Sequence, residues 1–261
     1  MRAQSLSKFE EGNINEDAVK ATQCWVAVSD GAGGGGVFAD RWSQYLVDHL
    51  VNEPIHDYPT FDGWIDSIWE PFYNEYEDVA KREGGMLLDK FYEEGAFATL
   101  VVIWKGGNWI SYGDSVAFCY DRKTGELQHS FGRIADFNDP PYLISIKDPT
   151  DEKGFKSGHF QISEDSVVFA TSDTLAHYIL MMYEVEYSDK YEQELAEALS
   201  AQTKNSNFIK CAMSQGKVKF EKSVLNKLLN CWNNGNLKRH LQKLRRKGLI
   251  GHDDYSFVVL E

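Results

Sequence analysis

Short apolar runs and longer segments of helical periodicity alternate along the chain. Runs of four to eight apolar residues bounded by turn residues are typical of buried strands. Six such runs occur, at 24–29, 97–104, 109–113, 116–121, 166–171 and 255–260. The sequence KGGN at 105–108 predicts a hairpin turn between the second and third. Because several strands follow one another through short turns, the pattern favours antiparallel pairing over βαβ alternation.

Apolar residues recur at helical spacing in three other segments, 38–49, 64–80 and 224–232. Pro71 predicts a kink in the second of them. We interpret the aromatic residues of that segment as core packing and not as a ligand site. Segment 133–158 is polar and poor in regular pattern, so both a flap near a functional site and an ordinary loop remain open.

The composition indicates a globular protein. The chain has 261 residues, 43% of them hydrophobic, which is enough for one large domain or two small ones. It contains no apolar run long enough to span a bilayer, and residues 1–13 contain no apolar segment typical of a signal peptide. We therefore expect a cytoplasmic protein. The four cysteines form no C-x-x-C pair, and Cys24 and Cys119 are expected to be buried free thiols.

The formal net charge of −13 disfavours nucleic acid or an anionic membrane as the main partner. Segment 51–100 is acidic, with twelve Asp and Glu against three Lys and Arg. Segment 238–247 is basic, and the leucines at 237, 241 and 244 make it an amphipathic helix. For both we prefer a solvated helix face. The alternatives are a docking patch for the acidic segment and attraction of a phosphorylated partner for the basic one.

A run of glycines follows the strand 24–29 and its terminal Asp30. Gly31, Gly33 and Gly36 match the dinucleotide-binding pattern G-x-G-x-x-G, but no second strand ending in an acid follows. Asp30 would also repel a pyrophosphate. Alternatively, Asp30 is a ligand of a hard divalent cation, and Gly31 leaves room for its carbonyl oxygen to bind the same ion.

Other acidic residues flank strand-like runs in the same way, so the ends of the strands could bring them together. A cluster of this kind needs cations, because mutual repulsion would otherwise raise the pKa of every carboxyl group. The acids are Glu16, Asp17, Asp114, Asp173 and Asp253, the last with Asp254 beside it.

The order of these motifs resembles the protein phosphatase 2C family of metal-dependent serine/threonine phosphatases. That family has an Asn-Glu-Asp motif, Asp-Gly-x-Gly-Gly, a Gly-Ser-Thr-Ala-like strand, Gly-Asp-Ser, Ser-Asp-Gly and a final Asp-Asn or Asp-Asp before an apolar strand. The matching segments here are NEDA (15–18), DGAGG (30–34), GAFATLVV (95–102), GDS (113–115), SDT (172–174) and DDYSFVVL (253–260).

The resemblance implies an α+β fold, a four-layer αββα sandwich of two packed antiparallel sheets flanked by helices, as a single catalytic domain over 1–261. It also implies two Mn²⁺ or Mg²⁺ ions. Asp17 would bind one ion, Asp30 would bridge both, and Gly31 would bind through its carbonyl oxygen. Asp173 and Asp253 would complete the second site.

Two further acids have weaker roles in this resemblance. Glu16 would bind mainly through water, and Asp114 would hold a third ion together with Asp173. The implied catalytic residues are Asp17, Asp30, Asp173 and Asp253, with no cysteine or serine nucleophile.

The implied reaction is attack of a metal-bridging hydroxide on the phosphorus of phosphoserine or phosphothreonine. The expected substrate is a phosphorylated protein, produced by a cognate serine/threonine kinase. We expect no nucleic-acid partner and no membrane partner, and we expect the chain to be a monomer.

The chain departs from the family pattern at auxiliary positions. Gly12 stands where an arginine usually grips phosphate, and Lys8 is the nearest substitute. Ala32 replaces a histidine proposed as an acid in some members, Val116 replaces an arginine, and Thr174 replaces a glycine. An inactive phosphatase-like binding module is therefore the main alternative, and a metal-dependent hydrolase of phosphodiesters or small phosphates is another.

Overall fold

A computed structural model describes residues 2–9, 12–34 and 36–261. Within these ranges the strands are β1 (Arg2–Leu6), β2 (Ala18–Ala21), β3 (Trp25–Ser29), β4 (Phe97–Ala98), β5 (Leu100–Trp104), β6 (Asn108–Tyr112), β7 (Val116–Asp121), β8 (Glu126–His129), β9 (Ile144–Ser145), β10 (Phe155–His159), β11 (Ser166–Thr171) and β12 (Tyr255–Leu260). The helices are α1 (Ala39–Asp48), α2 (Tyr58–Glu83), α3 (Gly85–Glu93), α4 (Asp173–Glu186), α5 (Glu192–Ser200), α6 (Lys204–Ser214), α7 (Asn226–Asn233) and α8 (Leu237–Arg246). Short 3₁₀ turns at Ile134–Asn138 and Glu152–Gly154 and a π-helical turn at Glu221–Leu225 complete the set.

The strands form two five-stranded sheets. The first sheet has the order β1-β12-β11-β7-β8 and the second has the order β10-β6-β5-β3-β2. A small third sheet pairs β4 with β9. Every strand pair is antiparallel, which confirms the pairing predicted from the short turns.

The central strands are buried on both faces, and this explains why they are apolar throughout. In β3, Val26 and Val28 belong to a core between the two sheets, where they meet residues of β7, β11 and β12. Trp25 and Ala27 point the other way and pack against helices. Since successive side chains of a strand point to opposite faces, such a strand lies between two apolar layers.

Helices cover the outer face of each sheet. The α1, α2 and α3 helices pack on the second sheet, and α4 to α8 pack on the first. The molecule therefore has four layers in the order helices, sheet, sheet, helices, which confirms the predicted αββα sandwich. No helix among the described residues combines the length and the apolar character that crossing a bilayer requires.

The apolar run 97–104 is two strands and not one. It breaks at Thr99, whose backbone N–H donates to the Asp30 carbonyl oxygen at 2.8 Å. The Ser29 hydroxyl donates to the Thr99 carbonyl at 2.6 Å. These bonds replace the regular ladder at the point where β3 ends, so the break fixes the backbone around Asp30.

Sequence patterning missed five strands. Four of them, β1, β2, β8 and β10, are the edge strands of the two large sheets and are less buried than the central strands, and the fifth, β9, has only two residues. Segment 133–158 is not free of regular structure, since residues 155–158 belong to β10, which pairs with β6. The side chains of β10 are mostly exposed or half-buried. An edge strand of this kind has no apolar alternation to detect.

One local prediction is corrected. Cys24 is exposed and not buried, because β3 begins one residue later and Cys24 lies in the turn before it; Cys119 is buried as expected. The α2 helix is 26 residues long and contains Pro71, and the kink at this residue stays a prediction.

Candidate functional site

Backbone hydrogen bonds hold the first two acidic motifs together. The Gly31 N–H donates to the Glu16 carbonyl oxygen at 3.1 Å, and Gly31 also forms an isolated bridge with Ala98. A Cβ atom on Gly31 would lie 2.6 Å from the carbonyl oxygens of both Glu16 and Ala39. Only glycine fits this contact, so the motif around Asp30 is pressed against the motif around Asp17.

Asp17 is buried, with 8% of its surface exposed. Its Oδ2 accepts a 2.7 Å hydrogen bond from the Ser256 hydroxyl on β12, and its Oδ1 has no partner among the described residues. Burial raises the pKa of Asp17 to about 7, against the hydrogen bond from Ser256, and repulsion from Asp254 and Asp173 adds to the rise. A buried carboxylate oxygen without a partner indicates a site that lacks a cation or a donor.

Asp30 and Asp173 lie side by side. Burial holds the pKa of Asp30 well above its usual range, and repulsion from Asp17, Asp173, Asp114 and Asp253 raises it further. Asp173 is the first residue of α4. Burial and then Asp253 raise the pKa of Asp173 to about 6, partly offset by hydrogen bonds from Thr174 and from the Asp30 carboxyl. A carboxyl pair sharing a proton is what mutual repulsion produces when no cation intervenes.

The remaining predicted acids lie around this pair. Burial and repulsion from Asp173 raise the pKa of Asp114 to about 8. Asp253 Oδ1 lies 3.2 Å from the Lys8 ammonium, whose Nζ is also 3.5 Å from Glu16 Oε2. The structure thus brings together all six acidic side chains that the sequence singled out, with Gly31 beside them.

Lys8 forms ion pairs with two of these acids. Burial alone would lower its pKa, but Asp253 and, less strongly, Asp254 and Glu16 raise it. Burial raises the pKa of Glu16, and the positive charge of Lys8 partly offsets this rise.

Asp254 has a structural role that the sequence did not reveal. It is 3% exposed, and its two carboxylate oxygens accept backbone N–H bonds from Lys8 and Glu16, both at 2.7 Å. These bonds tie the start of β12 to the segment after β1 and to the loop before β2. The neighbouring Asp253 stays half-exposed and faces Lys8 instead.

The donor chemistry suits a hard divalent cation, since the cluster offers several carboxylates and a glycine carbonyl. Asp17 Oδ1 is a buried oxygen with no partner, as such a ligand would be before binding. As they stand, however, no three His, Cys, Asp or Glu side chains in the described part of the chain are arranged to hold a metal ion. The aspartates raise one another's pKa because they lie close together, but their oxygens do not converge on one point. Their side chains would therefore have to rotate when a metal ion binds.

The family's auxiliary phosphate contacts are absent at their usual positions. Gly12 is exposed with φ +83°, and Val116 is buried in β7, where it packs toward the helices. The Ala32 N–H donates to the Phe97 carbonyl at 3.0 Å. Thr174 donates its backbone N–H to the Asp173 carboxylate.

A cavity of about 140 Å³ opens beside the acids, lined in part by Asp114, Asp173 and Asp253. Lys204, the first residue of α6, and His252 line the same cavity. No sequence pattern pointed to Lys204, because only the packing of α6 against α4 brings it to this place.

Solved serine/threonine phosphatases have the same fold. The chain is similar to the catalytic domain of the serine/threonine protein phosphatase PstP in complex with two manganese ions, at 17% identity, covering 99% of this chain and 95% of that one, with a TM-score of 0.51. It is similar to PstP/Ppp of Mycobacterium tuberculosis at 17% identity, covering 99% and 96%, with a TM-score of 0.51. For Stp1 of Staphylococcus aureus the identity is 13%, the coverage 99% and 94%, and the TM-score 0.50.

This likeness confirms the fold resemblance predicted from the motifs, over nearly the whole chain. At these identities it establishes the fold alone, and the individual residue roles stay predictions. No model of a known protein family and no curated protein matches the sequence.

Proposed function

We propose that this chain, which has the fold of the protein phosphatase 2C family, hydrolyses phosphoserine and phosphothreonine in proteins with the help of Mn²⁺ or Mg²⁺. The proposal rests on one observation. Aspartates from distant segments lie close enough to raise one another's pKa: Asp17, Asp30, Asp114 and Asp173, with Asp253 contributing. Burying such a group costs free energy, and binding of divalent cations relieves that cost.

The residues that would hold two ions are those assigned by the resemblance. Asp30 would contact both, Asp17 and the Gly31 carbonyl would serve one, and Asp173 and Asp253 would serve the other. Bound ions of this kind lower the pKa of a shared water and offset charge on phosphoryl oxygens. Asp114 would serve a third ion together with Asp173, and Glu16 would act through water.

Two lysines of the chain are placed to orient a phosphate. Lys8 lies beside Asp253 and Glu16, and Lys204 lines the adjoining cavity. Both would attract the phosphoryl oxygens of a substrate, in place of the arginine missing at position 12. With Ala32 where some members have a histidine, the proton for the leaving oxygen would come from water.

The test is turnover of p-nitrophenyl phosphate and of a phosphothreonine peptide, with and without Mn²⁺. We expect hydrolysis of both only with the metal. Asp30→Asn removes charge with little change of shape and should lower turnover by about a hundredfold or more. Asp89→Asn, on the exposed surface of α3, is the matched control. Turnover of Asp30→Asn at the wild-type rate would refute the ligand assignment.

A phosphatase-like binding module is the second candidate. The observations that favour it are the missing auxiliary contacts at positions 12, 32 and 116 and the absence, among the described residues, of acids already arranged to hold an ion. It predicts no turnover of either substrate with Mn²⁺, together with binding of a phosphorylated protein. Turnover of phosphodiesters alone would indicate the remaining alternative, a metal-dependent hydrolase of phosphodiesters or small phosphates.

A further inference from the structure

A second cavity, of about 490 Å³, lies among α4, α7, α8 and the segment that follows α6. Its inner wall is apolar and buried, and is formed by Tyr178, Met182, Leu244 and Leu249. It shares no lining residue with the cavity beside the acids. Its volume is typical of pockets that hold small organic ligands.

The rim of this cavity is strongly basic in a chain of net charge −13. No Asp or Glu of the described residues lines it, and none of its cations forms an ion pair with another described residue. Five like charges around one concave surface repel one another, and a bound anion would relieve that repulsion. The cations are Lys217, Lys227, Arg239, Lys243 and Lys247.

A buried histidine forms part of the same wall. His240 is 7% exposed, and its Nε2 has no hydrogen-bond partner in the described part of the chain. Burial lowers the pKa of His240 to about 4, with further lowering from Lys227, Lys243 and Lys247, so the ring is neutral at pH 7. A neutral imidazole can donate one hydrogen bond and accept one, and the Nε2 atom of this ring is left without a partner among the described residues.

We propose that this cavity binds a small phosphorylated molecule. Its phosphate groups would lie among Lys227, Arg239 and Lys243, and its organic part would lie against Tyr178 and Met182. Phosphate suits this rim because several converging cations form charge-assisted hydrogen bonds with its oxygens.

The cavity is separate from the acid cluster but shares a helix with it. Asp173 begins α4 at the cluster, and Met182 lies nine residues further along, about 13 Å at the α-helical rise. Occupancy of the basic cavity is therefore measurable independently of the chemistry proposed at the acids.

The experiment is calorimetric titration of the whole chain with pyrophosphate and with ATP in the presence of EDTA. Without divalent ions, the acid cluster repels phosphate, so binding at the cluster does not contribute to the measured heat. We expect one saturable site for at least one of the two probes. The double variant Arg239→Gln and Lys243→Gln should weaken that binding about tenfold or more.

The matched control is the double variant Lys238→Gln and Arg246→Gln. It removes the same charge from the same helix at exposed positions that do not line the cavity. We expect affinity within about twofold of wild type, since distant exposed charges are screened. An equal loss of affinity in both double variants would mean that only the net charge of the protein matters, and it would overturn the proposal.

Thiol alkylation gives a second readout that needs no substitution. Cys231 lines the cavity, whereas Cys24 is exposed elsewhere. Saturating pyrophosphate or ATP should slow the alkylation of Cys231, measured by peptide mass spectrometry, and leave Cys24 unchanged. Absence of saturable binding by both probes overturns the proposal, as does binding of a phosphothreonine peptide alone, which would indicate a protein partner instead.

Discussion

Glu184 is a buried carboxyl group that does not belong to the acid cluster. It lies on α4, is 4% exposed, and its Oε2 has no partner among the described residues. Burial, followed by repulsion from Glu194, raises its pKa to about 8. The group is therefore protonated in the folded protein at pH values where the unfolded chain has already released its proton.

This shift predicts how stability depends on pH. Between about pH 4.5 and pH 8 the folded state binds more protons at Glu184 than the unfolded state does, so its contribution to stability falls as pH rises. Glu184→Gln removes that contribution and should make the protein roughly 5 kcal/mol more stable than wild type at pH 9, since each pKa unit is worth about 1.4 kcal/mol, with little difference at pH 4. Urea denaturation across this pH range measures the effect.

The control for this prediction is Glu192→Gln, an exposed glutamate at the start of α5. Its free energy of unfolding should follow that of the wild type at every pH. If Glu184→Gln also follows the wild type, then Glu184 is not buried as a protonated acid.

Asp253 and Asp254 are adjacent but have different environments, and this predicts opposite phenotypes. Asp254→Asn replaces one of two carboxylate oxygens that accept backbone N–H bonds from Lys8 and Glu16. It should lower the free energy of unfolding by about 1–3 kcal/mol, because a buried N–H loses its acceptor. Asp253→Asn should leave stability in EDTA within about 1 kcal/mol of wild type, since the Lys8 pair is half-exposed.

Enzymatic turnover also separates the two variants, but here Asp253→Asn has the large effect. Asp253→Asn should abolish the proposed metal-dependent hydrolysis, because it removes a proposed ligand. Equal destabilisation by both substitutions would contradict the separate roles assigned to these neighbours.

At the scale of elements, the loop from β3 to α1 decides how closely the acidic motifs approach. Gly31→Ala would place its Cβ 2.6 Å from two backbone carbonyl oxygens, and backbone cannot move aside cheaply. We expect a loss of about 2 kcal/mol or more in the free energy of unfolding. Gly34→Ala, in the same loop, meets nothing within 4 Å and should be within about 0.5 kcal/mol of wild type.

Chemical denaturation of both glycine variants checks this prediction. Should Gly31→Ala be as stable as Gly34→Ala, the close contact between the loop and the Glu16 carbonyl would be wrong. The result holds whether or not the Gly31 carbonyl binds a metal, because the clash involves packing alone.

At the scale of the whole molecule, the acid cluster predicts stabilisation by metal. An ion that binds the folded chain and not the unfolded one, at a hundred times its dissociation constant, adds about 2.7 kcal/mol. For a chain of this size that raises the melting temperature by about 5–10 °C. Differential scanning calorimetry with and without Mn²⁺ measures the shift without any substrate.

The same Asp30→Asn and Asp89→Asn pair provides the comparison. Asp30→Asn should lose most of the Mn²⁺-induced shift, and Asp89→Asn should retain it. A shift of equal size in both variants would mean that Mn²⁺ stabilises the protein from some other site.

The apolar pattern of the sequence was enough to predict the central strands, whereas the four layers were implied by the family resemblance. β3, β5, β7, β11 and β12 are apolar on both faces, and such strands have to lie between two apolar layers. The order of the acidic motifs was equally readable, because each motif is a local pattern next to a strand. Edge strands such as β10 were missed, since a solvated strand needs no apolar pattern.

Which side chains meet depends on how the helices and sheets pack together. The tertiary structure assigned the backbone contacts to Asp254 and not to Asp253, and it brought Lys204 to the cavity beside the acids. It also formed the basic cavity from α4, α7, α8 and the segment after α6, of which the sequence marked only α8 as cationic. The physical reason is that periodicity is set by neighbours along the chain, whereas cavities and charge clusters depend on contacts between residues far apart in it, such as Lys8 and Asp254, which are separated by 246 positions.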